Sequence, residues 1–139
     1  MMSDQRERFE EWLVHMDDAL VVFKSSLPPE VASNLDLSID SLDLVERHYL
    51  SEFTTVEDAL SESAKRLIDG YARYVGETMR AALNTEWDIC VSDPKHAFYG
   101  LPTIRNNQLC PLTLVTAAAD RRTGRFWSTV ARSQVRAGA

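Results

Sequence analysis

The chain has 139 residues, 45% hydrophobic and 26% charged, with a formal net charge of −6. That length suits one domain of ordinary size, residues 1–139, and that composition argues against disorder, a collagen-like repeat or a coiled-coil rod. Two cysteines, Cys90 and Cys110, are too few for a disulfide scaffold, no stretch reaches the ~18 consecutive apolar residues of a membrane span, and the first residues lead into no signal-peptide apolar region, so a cytoplasmic protein with reduced thiols is expected.

The first helix is predicted from Ser3 to Lys24, with Phe9, Trp12, Leu13, Met16, Leu20 and Phe23 at three- and four-residue steps and Ser3 as cap. Pro28 and Pro29 end it, because proline lacks a donor and pushes its predecessor out of the helical region; a loop is expected next. Alternating apolar residues in Leu35–Ser41 suggest a short extended piece. Asp40 or Ser41 can then cap a short helix that buries Leu42, Val45, Tyr49, Leu50 and Phe53.

Thr54-Thr55-Val56-Glu57 fits a capping box and starts a long helix whose apolar spacing runs to Leu83, with Asn84 able to take the left-handed terminal conformation. At 1.5 Å per residue its 28 residues would span about 42 Å, so it is either central or broken, with the break near Ser61 to Ser63. Within it, Gly70 and Gly76 each cost roughly 1 kcal/mol against alanine, which points to a neighbouring element packed close on the backbone. Glu77 has Arg73 and Arg80 within helical reach, as in a small ion-pair network, with a buried polar anchor for the strands as the alternative.

After Asn84 the period changes to two. Trp87, Ile89 and Val91 point one way, Phe98 to Ile104 is a second candidate strand with Pro102 at an edge, and Asn106-Asn107 suits a hairpin into Gln108-Leu109-Cys110. Pro111 suits a helix first turn, and that helix runs to Arg122. Gly124 interrupts, and Phe126, Trp127, Val130 and Ala131 resume helix before a fraying tail at 136–139. The expected class is α+β: a long central helix, flanking helices, and a small two- or three-stranded antiparallel sheet near residues 86–110.

Charge is divided along the chain. Residues 1–62 hold 15 carboxylates against four basic groups, net −11, and residues 63–139 hold six against 11, net +5. Between Glu30 and Glu62 the balance is −8, from Glu30, Asp36, Asp40, Asp43, Glu46, Glu52, Glu57, Asp58 and Glu62 against Arg47. Such a field repels nucleic acid and anionic lipid and steers a cationic partner. The competing expectation is a solvated face, neutralised in part by the basic C-terminal half. Opposite-charge halves could also pair between copies in a homo-oligomer.

Catalytic chemistry has little support. His15, His48, His96, Cys90 and Cys110 lack the spacing of a metal site, and no nucleophile elbow or phosphate loop occurs, so no metal and no cofactor are expected. The arginines 121, 122, 125, 132 and 136 form a basic cluster that more often caps a helix or pairs with an acidic half than meets nucleic acid. A small-ligand site, if there is one, is expected between the long helix and the sheet, from Tyr71, Tyr74, Glu77, Trp87 or His96.

Tyr74-Val75-Gly76-Glu77, followed by Leu83, a strand opening at Trp87 and Cys110-Pro111-Leu112 at the last helix, resembles a pattern in small bacterial, often actinobacterial, cytoplasmic proteins of unknown function. Leu37-Ser38-Ile39-Asp40-Ser41-Leu42 resembles the piece that enters a helix in the same proteins. The resemblance covers roughly residues 35 to 115 and supplies no catalytic residue. Some of these proteins are grouped with immunity proteins of bacterial toxin systems, which bind a toxin and block it without catalysis. It implies a non-enzymatic protein-binding module, immunity- or antitoxin-like. Its acidic residues Glu30, Asp36, Asp40, Asp43, Glu46, Glu52, Glu57 and Asp58 would engage a basic surface of a protein partner.

Overall fold

The computed structural model describes the backbone of residues 2–138 and the side chains of residues 4–138, so the capping role expected for Ser3 lies outside the described side chains. The order is α1 (Met2–Val14), α2 (Met16–Ser25), α3 (Pro29–Ala32), α4 (Ser41–Glu52), α5 (Val56–Ala59), a 3-10 turn (Glu62–Ala64), α6 (Lys65–Leu83), β1 (Trp87–Ile89), β2 (Pro102–Ile104), α7 (Pro111–Arg121) and α8 (Phe126–Gly138). The class is α+β, helical with a small antiparallel sheet in which Trp87 faces Ile104 and Ile89 faces Pro102. No described helix is long and apolar enough to cross a membrane.

α6 is the axis. Ile68, Tyr71, Ala72, Tyr74, Val75 and Met79 are buried along it, and α2, α7 and α8 pack around it. Tyr49 of α4 and Trp127 of α8 close on Tyr71, with ring centroids 5.0 Å apart for Tyr49 and Tyr71 and 5.2 Å for Tyr49 and Trp127. A smaller apolar cluster of Phe9, Ile89 and Val91, joined by Trp12, Leu13 and Trp87, holds α1 on the sheet.

Several expectations are corrected. The first helix is two, bent at His15 (φ −89°, ψ 9°), because α1 buries Phe9 against the sheet while α2 buries Phe23 against α6, and one straight rod cannot serve both. The expected loop after Pro28 contains α3, with Pro29 in its first turn, where a missing N–H costs nothing. Residues 35–40 are bends and turns, not an extended piece, and Ser41 already belongs to α4. Leu37 sits at φ +63°, and the Asp36 carboxylate accepts from the Ser38 amide. Neither Asp40 nor Ser41 caps α4 with its side chain. The Ser41 amide donates to Ser38 Oγ, and the Ser41 hydroxyl meets the Tyr74 hydroxyl at 2.6 Å.

The long central helix is broken where the serines cluster, leaving α6 with 19 residues from Lys65. The cap that starts α5 is one residue later than the expected box: Thr55 Oγ1 accepts from the Asp58 amide at 3.1 Å, and Thr54 Oγ1 donates to the Asp58 carboxylate. Asn84 takes the left-handed conformation expected of it, φ 51°. The second strand is confined to Pro102–Ile104. Beyond it Arg105, Asn106 and Asn107 all have positive φ, and the chain returns to a single bridge between Ile104 and Leu109. α8 continues helical through Gly138, past the start of the tail expected to fray, and Ala139 lies outside the described residues.

Both helix-interior glycines sit under an aromatic ring. A Cβ on Gly76 would stand 2.1 Å from Trp87 Cη2 and 2.9 Å from Pro111 Cγ, and one on Gly70 would stand 2.5 Å from Phe23 Cδ1. The methyl-free backbone is therefore what lets β1 and α2 close on α6. Gly76→Ala gains about 1 kcal/mol of helix propensity and loses more through overpacking, so a net loss of about 1–3 kcal/mol is expected in denaturant unfolding.

Candidate functional site

The acidic residues divide into two sets by where α8 lies. α8 packs on α4, and three carboxylates of α4 and its entry turn address it. Glu46 is fully buried. Its Oε1 accepts from the Trp127 amide at 2.8 Å and its Oε2 from the Phe126 amide at 3.1 Å, which satisfies two of the orphan N–H groups at the α8 N-terminus. Asp43 accepts from the Ser128 hydroxyl, and Asp40 pairs with Arg132. The basic half answers at the other end: Arg122 donates to the carbonyls of Phe53 and Leu50, both at 2.9 Å, and so closes the C-terminus of α4. Glu46 thus belongs to the core and not to an acidic surface, because a carboxylate enclosed by two amides cannot reach a partner.

Glu30, Asp36, Glu52, Glu57 and Asp58 stay exposed. Asp58 lies in the first turn of α5 and is held below the usual carboxylate range by the Thr54 hydroxyl; Asp36 is held low in the same way by Ser38. Glu52 accepts from the Tyr71 hydroxyl at 2.7 Å and lies 3.1 Å from His48 Nε2. Glu52 and Asp58 come together with Ser61 and Ser63 around Phe53 and Leu67, in a polar depression of about 430 Å³. That depression shares Ser63 and Leu67 with an apolar groove of about 540 Å³ between α2 and α6.

The five residues expected to line a ligand site are not brought to one place. Tyr71 and Tyr74 are in the core, each with its hydroxyl bonded, and burial pushes both phenols well above their ordinary value. Glu77 is occupied by Arg80 and by Trp87 Nε1, the latter at 2.6 Å. Arg73, expected near Glu77, pairs instead with Asp69 at 2.7 Å and lies over the Trp12 ring. His96 belongs to the loop after β1, where its Nδ1 accepts from the Phe98 amide. Between α6 and the sheet there remains a cleft of about 140 Å³, lined by Trp12, Asp69 and Trp87 among others. Trp12 and Asp69 went unremarked because their proximity joins two helices 57 residues apart, through a 2.8 Å bond from Trp12 Nε1.

Cys90 and Cys110 are both buried and unpaired, and burial pushes the Cys110 thiol up, away from the reactive thiolate. Among the described residues no group of three or more His, Cys, Asp or Glu side chains is placed to hold a metal ion. The most exposed large apolar residues are Val14, Val21 and Leu60, with Val22 59% exposed at the groove. No family model, curated protein or solved structure matches this chain.

Two side chains in this region separate architecture from surface. Burial raises the Glu46 carboxyl above its ordinary 4.5, opposed by the Trp127 and Phe126 amides. Glu46→Ala, which orphans both amides, is expected to cost about 2–4 kcal/mol in urea unfolding. Because the folded value is raised, the native state holds the proton more tightly than the unfolded chain. The contribution is therefore fully present below pH ~4.5 and falls as pH rises through the raised value, so the wild-type-minus-variant difference shrinks across that window. Tyr49 offers the converse case. Its hydroxyl is buried without a hydrogen-bond partner and its phenol is pushed up to about 12. Tyr49→Phe is expected to unfold within about 1 kcal/mol of wild type, on the stabilising side.

Proposed function

We propose that this chain is a non-enzymatic protein-binding module acting in the cytoplasm, immunity- or antitoxin-like, which receives a basic surface of its target on carboxylates that the fold leaves in solvent. One observation carries the reading: Glu46 and Asp43 of α4 bond to α8 from buried and half-buried positions and Asp40 of its entry turn pairs with Arg132 at the surface, whereas Glu30, Asp36, Glu52, Glu57 and Asp58 stay exposed. The first set is needed to close the helical layer. In the second, Glu52 accepts from Tyr71 of α6, and Glu52 and Asp58 gather at one depression beside an apolar groove. Exposed charge beside apolar surface is the composition of a docking rim, where carboxylates set encounter rate and orientation while apolar contacts supply affinity.

The experiment is capture from a lysate of the native cell at low and high salt, with quantitative mass spectrometry. Glu52→Gln/Glu57→Gln/Asp58→Asn is run beside the wild type. A single stoichiometric protein, lost at high salt and depleted about tenfold or more on the triple variant, is the expected result. A partner retained equally by the variant removes the carboxylate mechanism, and the absence of any partner removes the module.

A further inference from the structure

We infer that the groove between α2 and α6 is the seat of a cationic amphipathic helix supplied by a partner protein. The inference rests on the binding-module reading and adds the place and the chemistry of the occupant. The two helices lie side by side in opposite directions: Met16 of α2 meets Arg73 of α6, whereas the later Phe23 meets Gly70. Their walls leave an open channel of about 540 Å³, formed by Ala19, Val22 and Phe23 on one side and Arg66, Leu67 and Gly70 on the other. α2 is ten residues long, about 15 Å, which matches two to three turns of an incoming helix whose anchors recur at three- and four-residue steps.

Part of the exposed apolar surface lies at this groove, where Val22 is on the wall. Val14 is 79% exposed at the α1–α2 bend, and Val21 and Val22 are 68% and 59% exposed on α2. Valine is a poor helix former, and these side chains bury little in the isolated chain, so the fold gains almost nothing from them. An exposed valine on the wall of an apolar groove marks an interaction surface more than a tolerated accident.

Charge selects the occupant. Asp18 stands one helical turn before Val22, on the same stripe, and Glu52 and Asp58 lie in the depression that continues the groove past Ser63 and Leu67. Against these carboxylates the groove wall presents Arg66. A helix with leucine-like anchors on one face and lysines or arginines flanking them would place its apolar side on Val22 and Leu67 and its cations toward Asp18, Glu52 and Asp58. A second copy of this chain is a poorer fit, because each copy carries a net charge of −6.

The test uses the full chain and a synthetic helical peptide of leucine and lysine in heptad order, with a scrambled peptide of equal composition as control. Val22→Lys alters an exposed side chain and leaves the core untouched; Val135→Lys on α8 adds the same charge away from the groove. Val22→Lys is expected to weaken binding of the amphipathic peptide by about tenfold or more and Val135→Lys by less than about twofold, with the scrambled peptide weak throughout. Equal effects of the two variants, equal binding of the two peptides, or a self-association that Val22→Lys dissolves would each overturn the inference, the last by assigning the groove to a second copy. Lysate capture separates the two levels. A native partner held equally by Val22→Lys ends the groove assignment and leaves the binding module, whereas no native partner with either protein ends both.

Discussion

The carboxylate of Glu46 is the contact on which the helical layer turns. It lies on α4, fully buried, and accepts the first two amides of α8, so a helix more than 70 residues away in the chain is docked by the same interaction that satisfies its exposed N–H groups. Arg122 answers from the other side by covering the last carbonyls of α4. With both ends held, Trp127 is carried against Tyr49 and Tyr71, and the core around α6 closes. The cost of burying a carboxylate is visible in its raised proton affinity, and what offsets it is geometry that an apolar side chain could not supply.

That contact also gives the charge division of the chain its meaning. An acidic first half and a basic second half look from the sequence like one surface and its counterpart. In the structure the counterpart is used selectively: Arg132 meets Asp40 and Arg122 meets α4 backbone, while among the described residues no cation pairs with Glu30 or Glu57. Part of the acidic half is therefore mortar and part is rim. The rim adjoins an apolar groove, and the functional proposal places its partner there.

Much of this was legible before the structure. Apolar spacing placed the core residues of α4, α6, α7 and α8, the change of period located the sheet, and the two glycines announced close approach of neighbours that prove to be Phe23 and Trp87. What escaped depends on tertiary context. The bend at His15 has no breaker residue, and arises because two stretches of one periodic pattern bury against different partners. The buried role of Glu46 was hidden because a carboxylate in an acidic run reads as solvated, and only the docking of α8 shows otherwise. The expected ligand site failed for a related reason: Tyr71, Tyr74 and Glu77 are close in sequence on α6 but are taken up at three different places, by Glu52 at the end of α4, Ser41 at its start and Trp87 of β1. The groove itself has no local signal beyond exposed valines, since its walls come from two helices far apart in the chain.

The account stands or falls on the two sets of carboxylates being physically different. The most direct measurement is urea unfolding of two variants with equal charge change: Asp40→Asn/Asp43→Asn/Glu46→Gln for the inner set and Glu30→Gln/Asp36→Asn/Glu57→Gln for the outer. The inner variant is predicted to lose about 3 kcal/mol or more, because Glu46→Gln sets an NH2 donor against one of the two buried α8 amides and the remaining bonds lose their charged acceptors. The outer variant is predicted to stay within about 0.5 kcal/mol per site of wild type, as exposed charges do. Equal losses in the two variants, or a stable inner variant, would contradict the division on which both the fold and the docking face are argued.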